Sequence, residues 1–117
     1  VLIVEDDRDT QQLLRSLLQD KVRDIASAAD GKEALKLLNT FTPDLIFLDL
    51  VMPGMDGLTF LRAIRADERF RRLPVVVVSG KPMNSDERQE LQQRVSAIIT
   101  KGASLEEQLQ EVLTYAR

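Results

Sequence analysis

The chain contains neither cysteine nor histidine. Without thiols it forms no disulfide, holds no zinc-thiolate centre and offers no cysteine nucleophile. Without imidazole it lacks the side chain that most often moves protons near neutral pH, binds transition metals or carries a phosphoryl group on nitrogen. Any chemistry must rest on Asp, Glu, Lys, Ser and Thr. Long apolar runs are also missing. The longest span four residues, as at 45–48 and 75–78, against the roughly 20 that cross a bilayer. No secretory signal pattern opens the sequence. Nor is there an excess of positive charge: 16 basic and 19 acidic residues leave a net charge of −3, whereas binding nucleic-acid phosphates calls for a basic surface. The one basic cluster, Arg69, Arg71 and Arg72, stands beside Asp67 and Glu68 and reads as a solvated loop. The expectation is a cytoplasmic protein with no direct contact to nucleic acid or membrane.

What is present suits one globular domain. A length of 117 residues with 44% hydrophobic and 30% charged side chains excludes a disordered tail, a collagen repeat and a coiled coil, and suffices for a core. Because Val1 already lies in an apolar run and no initiator Met precedes it, residues 1–117 are expected to be one domain of a longer protein.

Five short apolar runs, rich in β-branched residues, punctuate the chain at 1–4, 25–28 (the weakest), 45–48, 75–78 and 97–99. They are continuous rather than alternating, which suits strands covered on both faces of a parallel sheet. Helical spacing appears between them. Leu13, Leu14, Leu17 and Leu18 mark a helix starting near Asp9; Ala34, Leu35 and Leu38 follow an Asp30-Gly31 turn; Leu58, Leu61 and Ile64, then Leu105, Leu109, Val112 and Leu113, mark two more. Residues 86–93 are nearly all polar, with only Leu91 to bury, so a short, exposed helix is expected there. Five alternating β-α units predict a doubly wound α/β sheet with right-handed crossovers.

In such sheets ligands bind beyond the carboxyl ends of the strands. The first strand is followed by Glu5-Asp6-Asp7, the third by Asp49, the fourth by Ser79 and the fifth by Thr100-Lys101. Each feature alone is ordinary for a loop or a cap. Together they form a site. Carboxylates from two neighbouring strand ends repel, and a hard divalent cation such as Mg²⁺, which takes carboxylates, waters and phosphate oxygens, removes that penalty. Lys101 adds a point charge and Ser79 a hydroxyl donor for phosphoryl oxygens. An ionised Asp49 is already nucleophilic and forms an acyl phosphate without a general base. With no histidine, the phosphoryl donor is another protein or domain, or a small phosphodonor.

The run Val1-Leu2-Ile3-Val4-Glu5-Asp6-Asp7, with Asp44 to Asp49 continuing through Leu50-Val51-Met52-Pro53-Gly54-Met55-Asp56-Gly57, resembles the receiver domain of two-component response regulators. The ending from Arg94 to Ser104 is similar to receivers at the C-terminus of hybrid sensor histidine kinases. The resemblance covers the whole chain and implies a flavodoxin-like five-stranded parallel sheet, order 2-1-3-4-5, with five helices. It implies Asp49 as phosphoacceptor with Ser79 and Lys101 assisting. It implies Mg²⁺ held by Asp6, Asp49, Glu5 through water, and the backbone carbonyl of Val51. The implied partner is the phosphohistidine-bearing dimerisation domain of a histidine kinase, or a phosphotransfer domain. Catalysis would be limited to the domain's own phosphorylation and dephosphorylation, in a monomer or weak dimer. Asp7 is assigned to the electrostatics of the first helix start.

Two positions depart from the family pattern. Ile98 stands where an aromatic is usual, and is expected to stay buried whatever the phosphorylation state; Gly102 stands where Pro usually follows the Lys. A phosphate-independent pseudo-receiver is disfavoured by the presence of Asp6, Asp49, Ser79 and Lys101. A haloacid-dehalogenase-like phosphatase wants a second Asp where Val51 stands. A flavodoxin-like FMN protein wants a phosphate-binding loop where Glu5-Asp6-Asp7 would repel phosphate.

Overall fold

The computed structural model describes residues 1–50, 57–80, 84–100 and 105–115. Strands and helices alternate as β1 (Leu2–Val4), α1 (Arg8–Leu18), β2 (Ala26–Ala28), α2 (Gly31–Leu38), β3 (Ile46–Leu48), α3 (Gly57–Ala66), β4 (Val75–Ser79), α4 (Ser85–Gln92), β5 (Ala97–Thr100) and α5 (Leu105–Tyr115). The strands pair in parallel in the order β2-β1-β3-β4-β5. This is the expected flavodoxin-like arrangement.

The strands read as continuous apolar runs because successive side chains enter two different cores. Leu2, Val4, Ile46, Leu48, Val75 and Val77 face Ala34 and Leu38 of α2, Phe60, Leu61 and Ile64 of α3, and Leu91 of α4. Ile3, Phe47, Val76, Val78 and Ile99 face Leu14 and Leu18 of α1 and Leu105 and Leu109 of α5. The sheet is thus covered on both sides. Leu13 corrects its expected place in the α1 stripe: it is 48% exposed, because the residue before Leu14 points about 100° away around the helix.

Helix starts follow from side-chain caps. Asp7 accepts from the Thr10 N–H at 3.2 Å and from its hydroxyl at 2.6 Å, which begins α1 one residue before the expected Asp9. Asp30 accepts from the Glu33 N–H at 2.8 Å, and the Glu33 carboxylate returns to accept from the Ala29 N–H at 3.1 Å. The Asp30-Gly31 pair therefore caps α2. Helix α4 is short and exposed as expected, reaching the core through Leu91. Its far end is secured from outside: the Arg65 guanidinium donates to the Arg94 carbonyl at 2.7 and 3.0 Å, and to the carbonyls of Phe70 and Arg71 at 3.0 and 3.1 Å. Among the described residues no helix is long and apolar enough to cross a membrane.

Candidate functional site

The order in which the chain adds strands reverses between β1 and β3, which lie side by side and parallel with Val4 paired to Leu48. Each chain then delivers a carboxylate one residue further on. The Glu5 N–H donates to the Ala28 carbonyl at 3.0 Å, and the Asp49 N–H donates to the Val4 carbonyl at 3.0 Å. Both acids therefore spring from backbone still tied into the sheet. The side chain of Gln11 on α1 donates to the Glu5 carbonyl at 3.0 Å, fixing the turn that leads to Asp6.

Burial separates these residues from ordinary loop acids. Glu5, Asp49 and Ser79 are 1%, 6% and 3% exposed, and are the buried polar or charged residues among those described. Burying such groups costs free energy unless a partner compensates. All three lie at the carboxyl ends of neighbouring strands β1, β3 and β4, where ligands bind in sheets of this kind. Ser79 ends β4, opposite Thr100 of β5.

Glu5, Asp6 and Asp49 each place a carboxylate oxygen within 4.8 Å of the other two. Opposite ligands of an octahedral Mg²⁺ lie about 4 Å apart. Three hard oxygen donors at this spacing, two of them on buried residues, suit a small divalent cation. Asp6 is exposed, which leaves the cluster open on the side from which waters or a phosphoryl group would complete the shell. Asp7 adjoins the cluster in sequence but serves as the α1 cap, as expected.

Gly57 begins α3 and packs its backbone on the loop after β3. Its N–H donates to the Leu50 carbonyl at 3.0 Å. A Cβ there would strike the Asp49 carbonyl oxygen and stand 2.6 Å from Leu50 Cα. Gly57 and Gln11 are site-building residues whose contacts the sequence reading missed. The glycine carried a signal, its fixed place in the motif after Asp49. Gln11 carried none. Two expected site residues, Val51 and Lys101, lie outside the described residues, as does Gly102. Ile98 is half-buried rather than buried, being on the edge strand β5, and packs on the α2, α3, α4 side of the sheet.

The chain matches the response regulator receiver domain model over residues 1–113. It is 32% identical over 117 residues to the response regulator PleD of Caulobacter vibrioides (strain NA1000 / CB15N), covering 100% of this chain but 24% of PleD. It is 40% identical over 82 residues to the chemotaxis protein CheY of Pseudomonas aeruginosa, 69% of this chain and 66% of that protein. The chain thus spans about a quarter of the length of PleD. Among solved structures, the receiver domain of sensor histidine kinase PA1611 from Pseudomonas aeruginosa PAO1 superposes with a TM-score of 0.84 at 27% identity, covering 97% of this chain and 92% of that one. With the sheet order and the acidic edge in agreement, this chain belongs to the response regulator receiver domain family of two-component signalling.

Proposed function

We propose that Asp49 is the phosphoacceptor of this receiver domain. The observation that carries this is the meeting of Glu5, Asp6 and Asp49 within 4.8 Å at the carboxyl ends of β1 and β3. In the step proposed, a carboxylate oxygen of Asp49 bonds to phosphorus as the bond from phosphorus to the donor breaks. The electron pair and any proton leave with the donor, so no general base is required. The donor is a phosphohistidine on the dimerisation domain of a histidine kinase or on a phosphotransfer domain, since the chain has no histidine of its own.

The PA1611 receiver holds a magnesium ion coordinated in its active site cleft. Here Asp6 and Asp49 would bind Mg²⁺ directly, Glu5 through water, and the Val51 carbonyl would complete the protein's share. Bound there, the cation would offset the charge gathered on the phosphoryl oxygens. Ser79, buried at the end of β4, offers its hydroxyl to one phosphoryl oxygen, and Lys101 offers its ammonium to another. Asp49 is held by its backbone, so attack geometry is set before the donor arrives. The domain thus catalyses only its own phosphorylation and dephosphorylation, and acts in the cytoplasm as a relay, sink or docking module.

The test is incubation with Mg²⁺ and a small acyl phosphate, followed by intact-protein mass measurement. A single phosphoryl addition is expected, localised to Asp49; no addition in the presence of Mg²⁺ would leave a phosphate-independent interaction module.

A further inference from the structure

Thr100, the last residue of β5, is gripped at both backbone groups by one side chain. Its N–H donates to Gln108 Oε1 at 3.1 Å, and its carbonyl accepts from Gln108 Nε2 at 3.0 Å. A carboxamide presents one acceptor and one donor side by side, as the backbone of a neighbouring strand does. Gln108 therefore pairs with Thr100 of edge strand β5 as a sixth strand would. The helix it reaches from is itself fixed, because Leu105 and Leu109 of α5 are buried in the core. The two bonds tie together residues eight positions apart.

Two neighbours give the clamp a functional setting. In the sheet, Thr100 is the register partner of Ser79. In the chain, Thr100 is followed at once by Lys101 and then by Gly102. A lysine is a compact charge on a flexible four-carbon stem, so precision in its aim has to come from the backbone that bears it. Glycine next to it widens the backbone's choices instead of narrowing them. An anchor one residue before the lysine answers that need.

We propose that Gln108 is a positioning residue for phosphoryl transfer: by pinning Thr100 to α5 it fixes the strand end that pairs with Ser79 and that Lys101 follows in sequence. The assignment rests on the phosphoacceptor role given above to Asp49. The two bonds described for Gln108 both go to the backbone of Thr100, which is not a member of the acidic cluster, so its loss should slow the transfer while leaving cation binding intact. Misplacement of a catalytic group by about 1 Å costs as much as 100-fold in rate, and loss of two neutral hydrogen bonds at a partly exposed site gives only part of such a displacement.

Two variants separate the clamp from mere packing. Gln108→Met keeps the length and apolar stem of the side chain but loses donor and acceptor; Gln108→Ala loses the side chain as well. Three quantities are read on each: amide exchange at Thr100, the labelling rate at saturating acetyl phosphate and Mg²⁺, and Mg²⁺ affinity by calorimetry. Both variants are expected to quicken Thr100 exchange about tenfold and to slow labelling by roughly 3- to 30-fold, with Mg²⁺ affinity unchanged. Unchanged Thr100 exchange in Gln108→Met, or faster exchange with labelling at the wild-type rate, would overturn the proposal. A wild-type chain that takes up no phosphoryl group would overturn the role of Asp49 and the positioning role with it. That outcome is distinct from failure of the clamp alone, in which wild type and both variants are labelled equally fast.

Discussion

The backbone of Gly57 lies flat against the backbone of Asp49, so closely that any side chain at position 57 would strike the Asp49 carbonyl oxygen. The contact joins the start of α3 to the end of β3, and the 3.0 Å bond from the Gly57 N–H to the Leu50 carbonyl locks it. Because the obstructing atoms are backbone, they cannot swing aside as a flexible side chain would. Gly57→Ala must therefore move either the helix or the acid. Overpacking of this kind costs about 1–3 kcal/mol, so the melting temperature should fall by several degrees. Labelling of Asp49 should fall further than the lost stability explains, since the backbone that aims the carboxylate is what shifts. An alanine variant with wild-type melting and a wild-type labelling rate would show that the contact does not set the position of Asp49.

Asp49→Asn addresses the nucleophile itself. An amide at this position keeps the size of the side chain but has no ionised oxygen to bond to phosphorus. The variant should fold, since Asp49 is tied to the sheet through its backbone N–H, yet gain no mass on incubation with acetyl phosphate and Mg²⁺. Full labelling of the asparagine variant would move the acceptor elsewhere, with Asp6 the nearest alternative.

The architecture was legible because a doubly covered parallel sheet writes itself into the chain as short apolar blocks, here at 2–4, 46–48 and 75–79. The site was legible at the level of strand ends, since Glu5, Asp49 and Ser79 each follow or close such a block. Contacts between distant segments were not. Nothing in the pattern tells that Gln11 reaches the Glu5 carbonyl, that Gln108 clamps Thr100, or that Arg65 holds the Arg94 carbonyl. Gln and Arg are read from sequence as surface residues, and only the fold decides which backbone groups lie within their reach. Leu13 misled for a related reason: helical spacing alone does not tell how wide a stripe the sheet covers.

Metal binding is tested at Asp6, the exposed member of the cluster. Asp6→Ala removes one carboxylate from three that crowd within 4.8 Å, which relieves repulsion while it weakens the hold on Mg²⁺. The expected result is a melting temperature in the absence of metal equal to or above wild type, with Mg²⁺ affinity reduced by about tenfold or more and labelling slowed in step. Chelation of Mg²⁺ should stop labelling of the wild-type chain. Unchanged affinity in Asp6→Ala would transfer the ligand role to Asp7 and require the α1 cap to open.

If Asp49 is phosphorylated as proposed, helix α4 is the element expected to carry the change to the rest of the domain. Among the described contacts, two anchors lie toward its C-terminal end, where Leu91 is buried and Arg65 holds the carbonyl of Arg94. The ion pairs from Glu90 to Arg62 and Arg94, at 3.5 and 3.4 Å, lie on the exposed surface and contribute little. Burial lowers the pKa of Arg65 from its ordinary value, but three carbonyls accept from its planar fork, a geometry an ammonium cannot copy. Arg65→Lys should therefore loosen α4 nearly as much as Arg65→Ala, with faster amide exchange over 85–95 and little change in β1 or β3. A phosphoryl group on Asp49 that drew Ser79 toward it would be expected to act on the same helix, because Ser79 ends β4 and the chain continues from there to α4. Ile98, half-buried and stiff at χ1, is expected not to swing on phosphorylation. Phosphorylation is thus expected to change exchange across 80–93 more than the rotamer of any one side chain, with only weak dimerisation by sedimentation. A tight phosphorylation-dependent dimer with exchange unchanged over 80–93 would place the output in the last two helices instead.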